Sequence, residues 1–288
     1  MISPQQALKI LDRRPAKGLG QHFLIHQATA EKIAAVLHPK PDDVVVEIGA
    51  GLGALTLPLS ESGAQVIAVE IDAELANFLR KEFRKKRGGE GVRVECQDIL
   101  RMDLFTLHEQ FQRKLKIIGN LPYNISSPVL FKLMDAARCI KEAVLMLQTE
   151  VAARVLAGPG SKDYGILSVI TAYHTESRRV MRLKPSQFHP PPKVDSQVIC
   201  LKFRECPLTP KVDFSWLLKM VKAAFSHRRK TLRNSLLASN LSNLTVESVS
   251  TALEKSSIEP HRRPETLTLE EFLRLAKALE GEGTAETG

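Results

Sequence analysis

The sequence predicts an α/β protein in which a mainly parallel sheet has helices on both faces and is followed by a small helical domain. Short β-branched runs alternate with helix-length segments between residues 44 and 149, and a glycine-rich turn follows the first run. Such alternation favours parallel strands joined by crossover helices. Because single cores rarely grow past ~250–300 residues, a chain of 288 residues is expected to form two domains.

The strands are predicted from short apolar runs that end at turns or at helical patterns. Five successive runs are expected to form the parallel part of the sheet: VVVEI (44–48), QVIAVEID (65–72), VRVECQDI (92–99), LKIIGN (115–120) and AVLMLQT (143–149). Two later extended runs, RRVMRLK (178–184) and SQVICLKF (196–203), flank the turn FHPPPKVD. They predict a hairpin-like addition to the sheet.

The second domain is predicted from a change in periodicity after a proline-containing stretch. ECPLTPK, residues 205–211, has the composition of a linker. The first domain is therefore expected to span residues 1–205 and the second residues 206–288. The second is expected to be helical from FSWLLKMVKAAF through LEEFLRLAKAL, with a disordered tail at EGEGTAETG.

Composition narrows the classes of partner. The 41 Lys and Arg exceed the 32 Asp and Glu, so the net charge of +9 favours a polyanion such as nucleic acid. No apolar run approaches the ~18 residues of a membrane span, and the N-terminus lacks a signal-peptide pattern. The four cysteines are scattered without metal-ligand spacing. We expect a cytoplasmic protein that binds neither a membrane nor a metal.

The glycine-rich turn predicts a nucleotide site. Gly49, Gly51 and Gly53 stand between a buried strand and a helix. Glycines there allow a tight turn and close approach of the backbone to a ligand, and the helix N-terminus supplies amide donors. The string also satisfies a loose version of the dinucleotide fingerprint. A turn that merely requires glycine is the alternative.

Two carboxylates follow the next two strands. Glu70 lies 21 positions after Gly49, where its side chain can accept two hydrogen bonds from a ribose diol, as in nicotinamide enzymes and in S-adenosylmethionine (SAM) methyltransferases. Asp98 can accept from the exocyclic amine of an adenine, and Ile71 offers an apolar face to its ring. The alternatives are a solvated strand end for Glu70 and a helix N-cap for Asp98.

The segment Asn120-Leu121-Pro122-Tyr123 predicts a grip on a second, reacting adenine. Its N6 is a poor nucleophile because the lone pair is delocalised into the ring. Acceptors aimed at the two amino hydrogens would draw the nitrogen towards tetrahedral geometry. The side-chain oxygen of Asn120 and the backbone carbonyl of Leu121 can be these two acceptors. Pro122 fixes the chain direction and Tyr123 can stack on the flipped base. A proline turn with an incidental tyrosine is the alternative.

Ordered blocks along nearly the whole chain resemble those of the small-subunit ribosomal RNA adenine N6-dimethyltransferases, the kasugamycin-sensitivity enzymes. The blocks are GLGQHFL (18–24), VVEIGAGLGALT (45–56), VIAVEID (66–72), CQDIL (96–100), GNLPYNISSPVLFKL (119–133), LMLQTEVAARVLAGPGSKDYGILSV (145–169), FHPPPKVDSQV (188–198) and FSHRRKTLRNSL (225–236). The resemblance implies a Rossmann-like, SAM-dependent methyltransferase sheet and a small helical domain. It also implies that two adjacent adenines near the 3′ end of the RNA are each dimethylated.

The resemblance also implies a set of cofactor contacts. Residues of the matching blocks are expected to bind SAM: Gln21, His22, Leu24, Gly49, Gly51, Glu70, Ile71, Asp98, Ile99 and Asn120. The family commonly has Asn where this chain has His22, so only a backbone contact transfers to that position. Phe188 resembles a second aromatic that covers the target base opposite Tyr123, with an ordinary core residue as the alternative.

Three basic segments are candidates for RNA contact. SHRRKTLR carries Arg228, Arg229, Lys230 and Arg233 with no acidic residue, and spacings of three and four place residues 229, 230 and 233 on one helix face. Such a face would hold phosphates without reading bases. Arg13, Arg14 and Lys17 could clamp RNA or form a mobile arm. RKEFRKKR, residues 80–87, is expected to be a solvated face.

Several functions compete at this stage. A monomeric methyltransferase acting on small-subunit ribosomal RNA, or on the pre-ribosomal small subunit during ribosome biogenesis, explains all of the motifs. A large-subunit methylase of the macrolide-resistance type is the nearest alternative. A nicotinamide-dependent oxidoreductase leaves residues 120–123 unexplained, and a non-catalytic assembly factor would not need an amine grip.

Overall fold

A computed structural model gives the structure of the chain. It describes residues 3–86, 89–206, 208–227, 229–239, 241 and 244–282, apart from the side chains of Lys17 and Glu282.

The centre of the fold is a seven-stranded sheet. The described residues form these seven strands and a separate pair: β1 Phe23–Leu24, β2 Val44–Ile48, β3 Gln65–Glu70, β4 Val92–Cys96, β5 Leu115–Asn120, β6 Ile140–Gln148, β7 Thr175–Leu183, β8 Phe188–His189 and β9 Ser196–Phe203. The order in the sheet is β4-β3-β2-β5-β6-β9-β7, and β1 and β8 form a separate antiparallel pair. Strands β4, β3, β2, β5 and β6 are parallel, whereas β9 is antiparallel to β6.

Helices connect the parallel strands and continue beyond the sheet. They are α1 Pro4–Ile10, α2 Gln27–Val36, α3 Thr56–Glu61, α4 Ala73–Arg84, α5 Leu104–Phe111, α6 Ser126–Asp135, α7 Thr149–Leu156, α8 Ile166–His174, α9 Phe214–Ala224, α10 Leu232–Leu237, α11 Val246–Lys255 and α12 Leu269–Glu282. None of the described helices is long and apolar enough to cross a bilayer.

The middle of the sheet is buried under helices and contains the point at which the strand order switches. Every residue of β2 is buried, as expected for a strand covered by helices on both faces. The helix α4 begins at the N-cap Asp72, whose carboxylate accepts from the backbone N–H groups of Glu74 and Leu75. The strand order reverses between β2 and β5. Ligands bind open α/β sheets at such a switch point, beyond the carboxyl ends of the strands.

The predicted fold class is confirmed, and each of the seven predicted runs forms a strand of the sheet. The hairpin-like addition corresponds to β7 and β9, which are neighbours at one side of the sheet. The turn between them also contributes β8, which pairs with β1. The sequence did not predict this pairing, because β1 and β8 are two residues long and more than 150 positions apart.

The chain divides into two compact units. One consists of Met1–Ala152 and Glu176–Phe203, and the other of Ala153–Thr175 and Arg204–Gly288. The predicted boundary at residue 205 is close to the last of these divisions. Residues 153–175, which the prediction assigned to the first domain, cluster with the helical unit instead.

The helical unit has its own core and buried polar links. Phe272, Leu217 and Leu253 are fully buried in one cluster, and the hydroxyl of Tyr164 donates to the carbonyl of Leu267 at 2.9 Å. Helix α12 runs to Glu282, so the first three residues of the predicted tail are helical. Residues 283–288 of that tail lie outside the described residues.

Candidate functional site

A cavity of about 420 Å³ lies where the sheet order switches, at the carboxyl ends of β2, β3 and β5. Its volume is within the ~300–1,000 Å³ typical of small-molecule sites. The walls include all of the predicted cofactor-binding residues and four of the five predicted catalytic ones: Gln21, His22, Leu24, Gly49, Gly51, Glu70, Ile71, Asp98, Ile99, Asn120, Leu121, Pro122 and Tyr123. The fold therefore brings together residues from five separate parts of the sequence.

The glycine loop turns through left-handed backbone conformations. Gly49, Gly51 and Gly53 have φ values of 71°, 58° and 83°, which residues with a Cβ adopt only with strain. A Cβ on Gly51 would also lie 3.1 Å from the ring of Phe23. The loop thus needs glycine at Gly51 both for its backbone angle and for packing against β1.

Glu70 links this loop to the next strand–helix turn. One carboxylate oxygen accepts from the N–H of Gly51 at 2.8 Å, and the other accepts from the N–H of Asp72 at 2.9 Å. Burial raises the pKa of Glu70 in spite of these bonds. Each carboxylate oxygen retains acceptor capacity towards the cavity, as binding of a ribose diol requires.

The third strand end has the features expected of a purine site. One oxygen of Asp98 accepts from the N–H of Leu100 at 2.9 Å, and no described donor contacts the other. Ile71, on the cavity wall, is 52% exposed although it is a large apolar side chain. Ile99 is buried beside it in the wall. The wall therefore combines a free acceptor with apolar surface for a planar ring.

A hydrogen bond fixes which way the amide of Asn120 points. Its Nδ2 lies 2.7 Å from the backbone carbonyl of His22. Since a carbonyl can only accept, the amide nitrogen must face His22, and Oδ1 remains as an acceptor. The N–H of Leu121 donates to the carbonyl of Met146 at 3.1 Å, whereas no described donor contacts the carbonyl of Leu121. Two acceptors are thus available at the end of β5.

Tyr123 is held by two neighbours. Its hydroxyl hydrogen-bonds the hydroxyl of Ser196 at 2.9 Å, and the His22 ring stacks on it at 5.6 Å between centroids, with 30° between the planes. The Nδ1 of His22 donates to the carbonyl of Pro190 at 2.7 Å. Burial raises the pKa of Tyr123, so its hydroxyl stays neutral. The His22 side chain therefore has a defined position, although the sequence supported only a backbone contact there.

Phe188, predicted to cover the target base, is buried next to the site. It is 3% exposed and packs in a hydrophobic cluster with Leu24 and Val198, and it does not line the cavity. The reason is the pairing of β8 with β1, which sets Phe188 opposite Leu24. In this structure Phe188 therefore packs in the core, which was the alternative for this residue, and the ring that contacts Tyr123 is that of His22. The role of Phe188 towards the base stays a prediction.

Arg13 also has a partner that the sequence did not predict. Its guanidinium binds Asp72 through two hydrogen bonds of 2.8 and 2.6 Å, and Glu74 lies 3.0 Å away. The Arg13 guanidinium holds the pKa of Asp72 below its usual range. Gln21 donates to the same carboxylate at 3.1 Å. Arg13 thus fastens the N-terminal segment to the start of α4 rather than extending towards a phosphate.

The chain matches the family described as "Ribosomal RNA adenine dimethylase" over residues 14–280. A protein named "Ribosomal RNA small subunit methyltransferase A" from Geobacter metallireducens is 44% identical over 92% of this chain and 96% of its own. The protein of the same name from Desulforapulum autotrophicum is 43% identical over 97% of each chain. This chain belongs to the ribosomal RNA adenine dimethylase family.

Two solved structures resemble this adenine dimethylase. A dimethyladenosine transferase from Plasmodium falciparum has a TM-score of 0.76 and 27% identity, covering 91% of this chain and 98% of that one. The 23S rRNA methyltransferase ErmE has a TM-score of 0.66 and 28% identity, covering 90% and 99%. These findings support a methyltransferase that acts on ribosomal RNA over the oxidoreductase and the non-catalytic factor.

The cavity of this dimethylase fits SAM, the methyl donor that the family implies. Glu70 retains acceptor capacity for a ribose diol. The free oxygen of Asp98 and the exposed side chain of Ile71 match the amine and the ring of an adenine placed beside that ribose. A bound nucleoside would supply hydrogen-bond donors to these acceptors, and its planar ring would cover the apolar part of the wall. Among the described residues, no cluster of His, Cys, Asp and Glu could hold a metal ion.

Sequence analysis missed two parts of this adenine dimethylase site. Ser3, Pro4 and Gln6, at the start of α1, line the cavity. Glu47 also lines it, is buried, and accepts from the hydroxyl of Thr56 at 2.6 Å. An acidic residue inside the run VVVEI was a usable signal for Glu47. Nothing in the sequence shows that α1 folds back onto the glycine loop.

Glu47 is expected to make the stability of the dimethylase depend on pH. Burial raises its pKa to about 8, so between pH 5 and 8 the folded protein holds a proton that the unfolded chain has lost. The free energy of unfolding should therefore fall as pH rises through this interval, by up to ~1.4 kcal/mol per pH unit. Glu47→Gln, which stays neutral, should gain stability over wild type from pH 5 to pH 8. Urea unfolding at pH 5, 6.5 and 8 measures this, and parallel profiles would contradict it.

The basic residues predicted to share one helix face of the dimethylase do not lie on one helix. Helix α10 begins at Leu232 because the side chain of Thr231 caps it, accepting from the N–H of Asn234. Arg229 and Lys230 therefore lie exposed in the turn before the helix, and of the three only Arg233 is helical. The predicted common face was wrong. Arg228 and the side chain of Lys17 lie outside the described part of the structure, and Arg14 is exposed.

Proposed function

We propose that this chain uses SAM to dimethylate N6 of two adjacent adenines near the 3′ end of small-subunit ribosomal RNA. The orientation of the Asn120 amide carries the proposal, because it presents a fixed acceptor at the end of β5 beside the SAM cavity. The names of relatives 43–44% identical over most of the chain favour the small subunit. ErmE, whose name gives a large-subunit RNA, is less similar at 28% identity.

SAM, when bound, supplies an electrophilic methyl group. The residues of the chain then hold and orient the nitrogen that receives it. Oδ1 of Asn120 and the carbonyl of Leu121 accept from the two amino hydrogens of the target adenine, which localises the lone pair on N6. The ring of Tyr123 stacks on the base and fixes the direction of the N6 lone pair.

Turnover depends on alignment more than on acid–base chemistry. When N6 gains the methyl group its proton becomes strongly acidic and passes to water, so no strong general base is needed. Holding the nitrogen in line with the methyl group can supply several orders of magnitude in rate. Gly20 packs against this turn: its φ is 60°, and a Cβ there would lie 3.3 Å from Oδ1 of Asn124 and 3.5 Å from Cβ of Pro122.

RNA contact is assigned to cations without a carboxylate partner. Arg229 and Lys230 are exposed, and no described ion pair involves them. We include Arg233 and Arg14 in this set and exclude Arg13, which binds Asp72. We propose that residues 1–205, apart from the segment 153–175 that clusters with the helical unit, form the catalytic domain. Residues 206–288 are proposed as an RNA-binding domain, and the protein as a cytoplasmic monomer.

Mapping of transferred methyl groups tests the function. The protein is incubated with labelled SAM and with unmethylated small subunits, large subunits or the free RNA of each. We expect N6,N6-dimethyladenosine at two adjacent positions near the 3′ end of the small-subunit RNA. Labelling of the large-subunit RNA instead would favour the macrolide-resistance type of activity, and no labelling of any substrate would overturn the proposal.

A further inference from the structure

One edge of the sheet carries a run of cations that has no place in the site described above. Between residues 177 and 193 the sequence has five basic residues and no acidic one. All five are exposed: Arg178, Arg179, Arg182, Lys184 and Lys193. We call this set the cationic edge. It lies on the edge strand β7 and on the loop that leads from it to β9.

The charges of the cationic edge are mostly unbalanced. Arg182 pairs with Asp195 at 2.7 Å, and Arg178 contacts the thiol of Cys200. No described carboxylate pairs with Arg179, Lys184 or Lys193. These three are therefore free to bind an external anion.

Protection of the sheet edge does not by itself explain this pattern. Charged side chains on an edge strand do prevent pairing with a second chain, but charges of either sign serve that purpose. The opposite edge of the same sheet is β4, where Arg93 forms an ion pair with Glu95. β4 thus carries one basic and one acidic residue, whereas β7 carries Arg178, Arg179 and Arg182 against one carboxylate, Glu176. This excess of positive charge indicates an anionic partner for the β7 edge.

The cationic edge continues to the catalytic turn. The segment after Lys184 is tied to the site by two contacts: the carbonyl of Pro190 accepts from His22, and Ser196, the first residue of β9, hydrogen-bonds Tyr123. At ~3.3 Å per residue, the cations from Arg178 to Lys184 extend over roughly 20 Å along β7. A strand of nucleic acid that enters the site could follow this line.

We propose that the cationic edge binds the phosphate backbone of the RNA that carries the target adenines. This inference rests on the proposed function. Contacts to phosphates would position the RNA without reading its sequence, while residues 120–123 select the base. Positioning of this kind affects binding of RNA and leaves binding of SAM unchanged.

The test uses Arg179→Gln/Lys184→Gln in the full chain, since neither residue pairs with a described carboxylate. Binding of a transcript of the 3′ domain of small-subunit RNA is measured by fluorescence anisotropy at salt concentrations from 50 to 200 mM. We expect the log–log salt slope to become shallower by about 1.4–1.8, because each lost phosphate contact removes ~0.7–0.9. The affinity for SAM should match that of wild type.

Two control variants distinguish loss of phosphate contacts at the cationic edge from a general change of net charge. Lys81→Gln/Lys85→Gln makes the same change of net charge at exposed positions near the end of α4 and should keep the wild-type slope. Arg179→Lys/Lys184→Arg preserves the charge and should do the same. If removal of Arg179 disturbs folding, Lys184→Gln/Lys193→Gln tests the loop end of the surface with the same expectation.

A slope for Arg179→Gln/Lys184→Gln equal to that of the α4 variant would overturn the proposal. Self-association of a variant whose monomer binds RNA with the wild-type slope would also overturn it, because the cations would then only protect the edge. Methyl mapping with wild-type protein keeps the two proposals apart. If wild type dimethylates small-subunit RNA while the slope is unchanged, the cationic edge fails and the proposed function stands.

Discussion

Replacement of Asn120 by alanine is expected to slow methyl transfer at least a hundredfold in single-turnover assays at saturating SAM. The amide oxygen is fixed towards the site by the bond from Nδ2 to the carbonyl of His22. Its interaction with the target amine strengthens as the methyl group transfers, so its loss should appear in turnover. Electrostatic groups of this kind commonly contribute ~10²–10³-fold in rate. Quench-flow measurement of product at two SAM concentrations provides the rate.

The design must separate chemistry from binding, because Asn120 also lines the SAM cavity. Loss of the bond to His22 costs only ~0.5–1.5 kcal/mol, so Asn120→Ala should fold normally and bind RNA nearly as wild type. Asn120→Asp retains an oxygen acceptor but cannot donate to the carbonyl of His22. A rate for Asn120→Asp above that of Asn120→Ala would support the acceptor role. Recovery of the wild-type rate by Asn120→Ala at high SAM would mean that Asn120 only binds cofactor, and the amine grip would be abandoned.

The parts of the site that the sequence predicted are those whose geometry is local. The glycines follow β2 directly, and Glu70 and Asn120 are the last residues of their strands. Since parallel strands end at one edge of a sheet, the strand pattern alone places these side chains together. The chemistry of the target base was inferred from the residue types at 120–123, and the resemblance to a family then supplied the identity of the RNA, which no periodicity could provide.

The parts that the sequence did not predict depend on contacts between distant segments. Phe188 is buried because β8 pairs with β1, and Arg13 is engaged because Asp72 lies within reach of it. Phe188 was proposed from its resemblance to a family aromatic, and Arg13 was proposed as a cation near the N-terminus. The start of α10 was misplaced for a different reason. Spacing of three and four residues predicts a common helix face, but Thr231 caps the helix and so excludes Arg229 and Lys230 from it.

Replacement of Glu70 by alanine is expected to lower the affinity for SAM tenfold or more. Each hydrogen bond from a ribose hydroxyl to the carboxylate is worth ~1.5–3 kcal/mol, and ~1.4 kcal/mol corresponds to a factor of ten in Kd. The structure adds a second cause. Glu70 also accepts from the N–H groups of Gly51 and Asp72, so its loss releases the glycine loop that shapes the cavity. Isothermal titration calorimetry with SAM measures the combined effect.

Glu70→Gln separates these two causes, because it keeps one acceptor oxygen for the ligand or the loop while it removes the charge. It should bind SAM with an affinity between those of wild type and Glu70→Ala. Burial raises the pKa of Glu70, so wild-type affinity should fall as pH is lowered through that pKa and the carboxylate is protonated, whereas the affinity of Glu70→Gln should not change for this reason. Circular dichroism confirms folding of each variant. Unchanged SAM binding by a folded Glu70→Ala protein would remove Glu70 from the cofactor site and return it to a purely structural role in holding the loop.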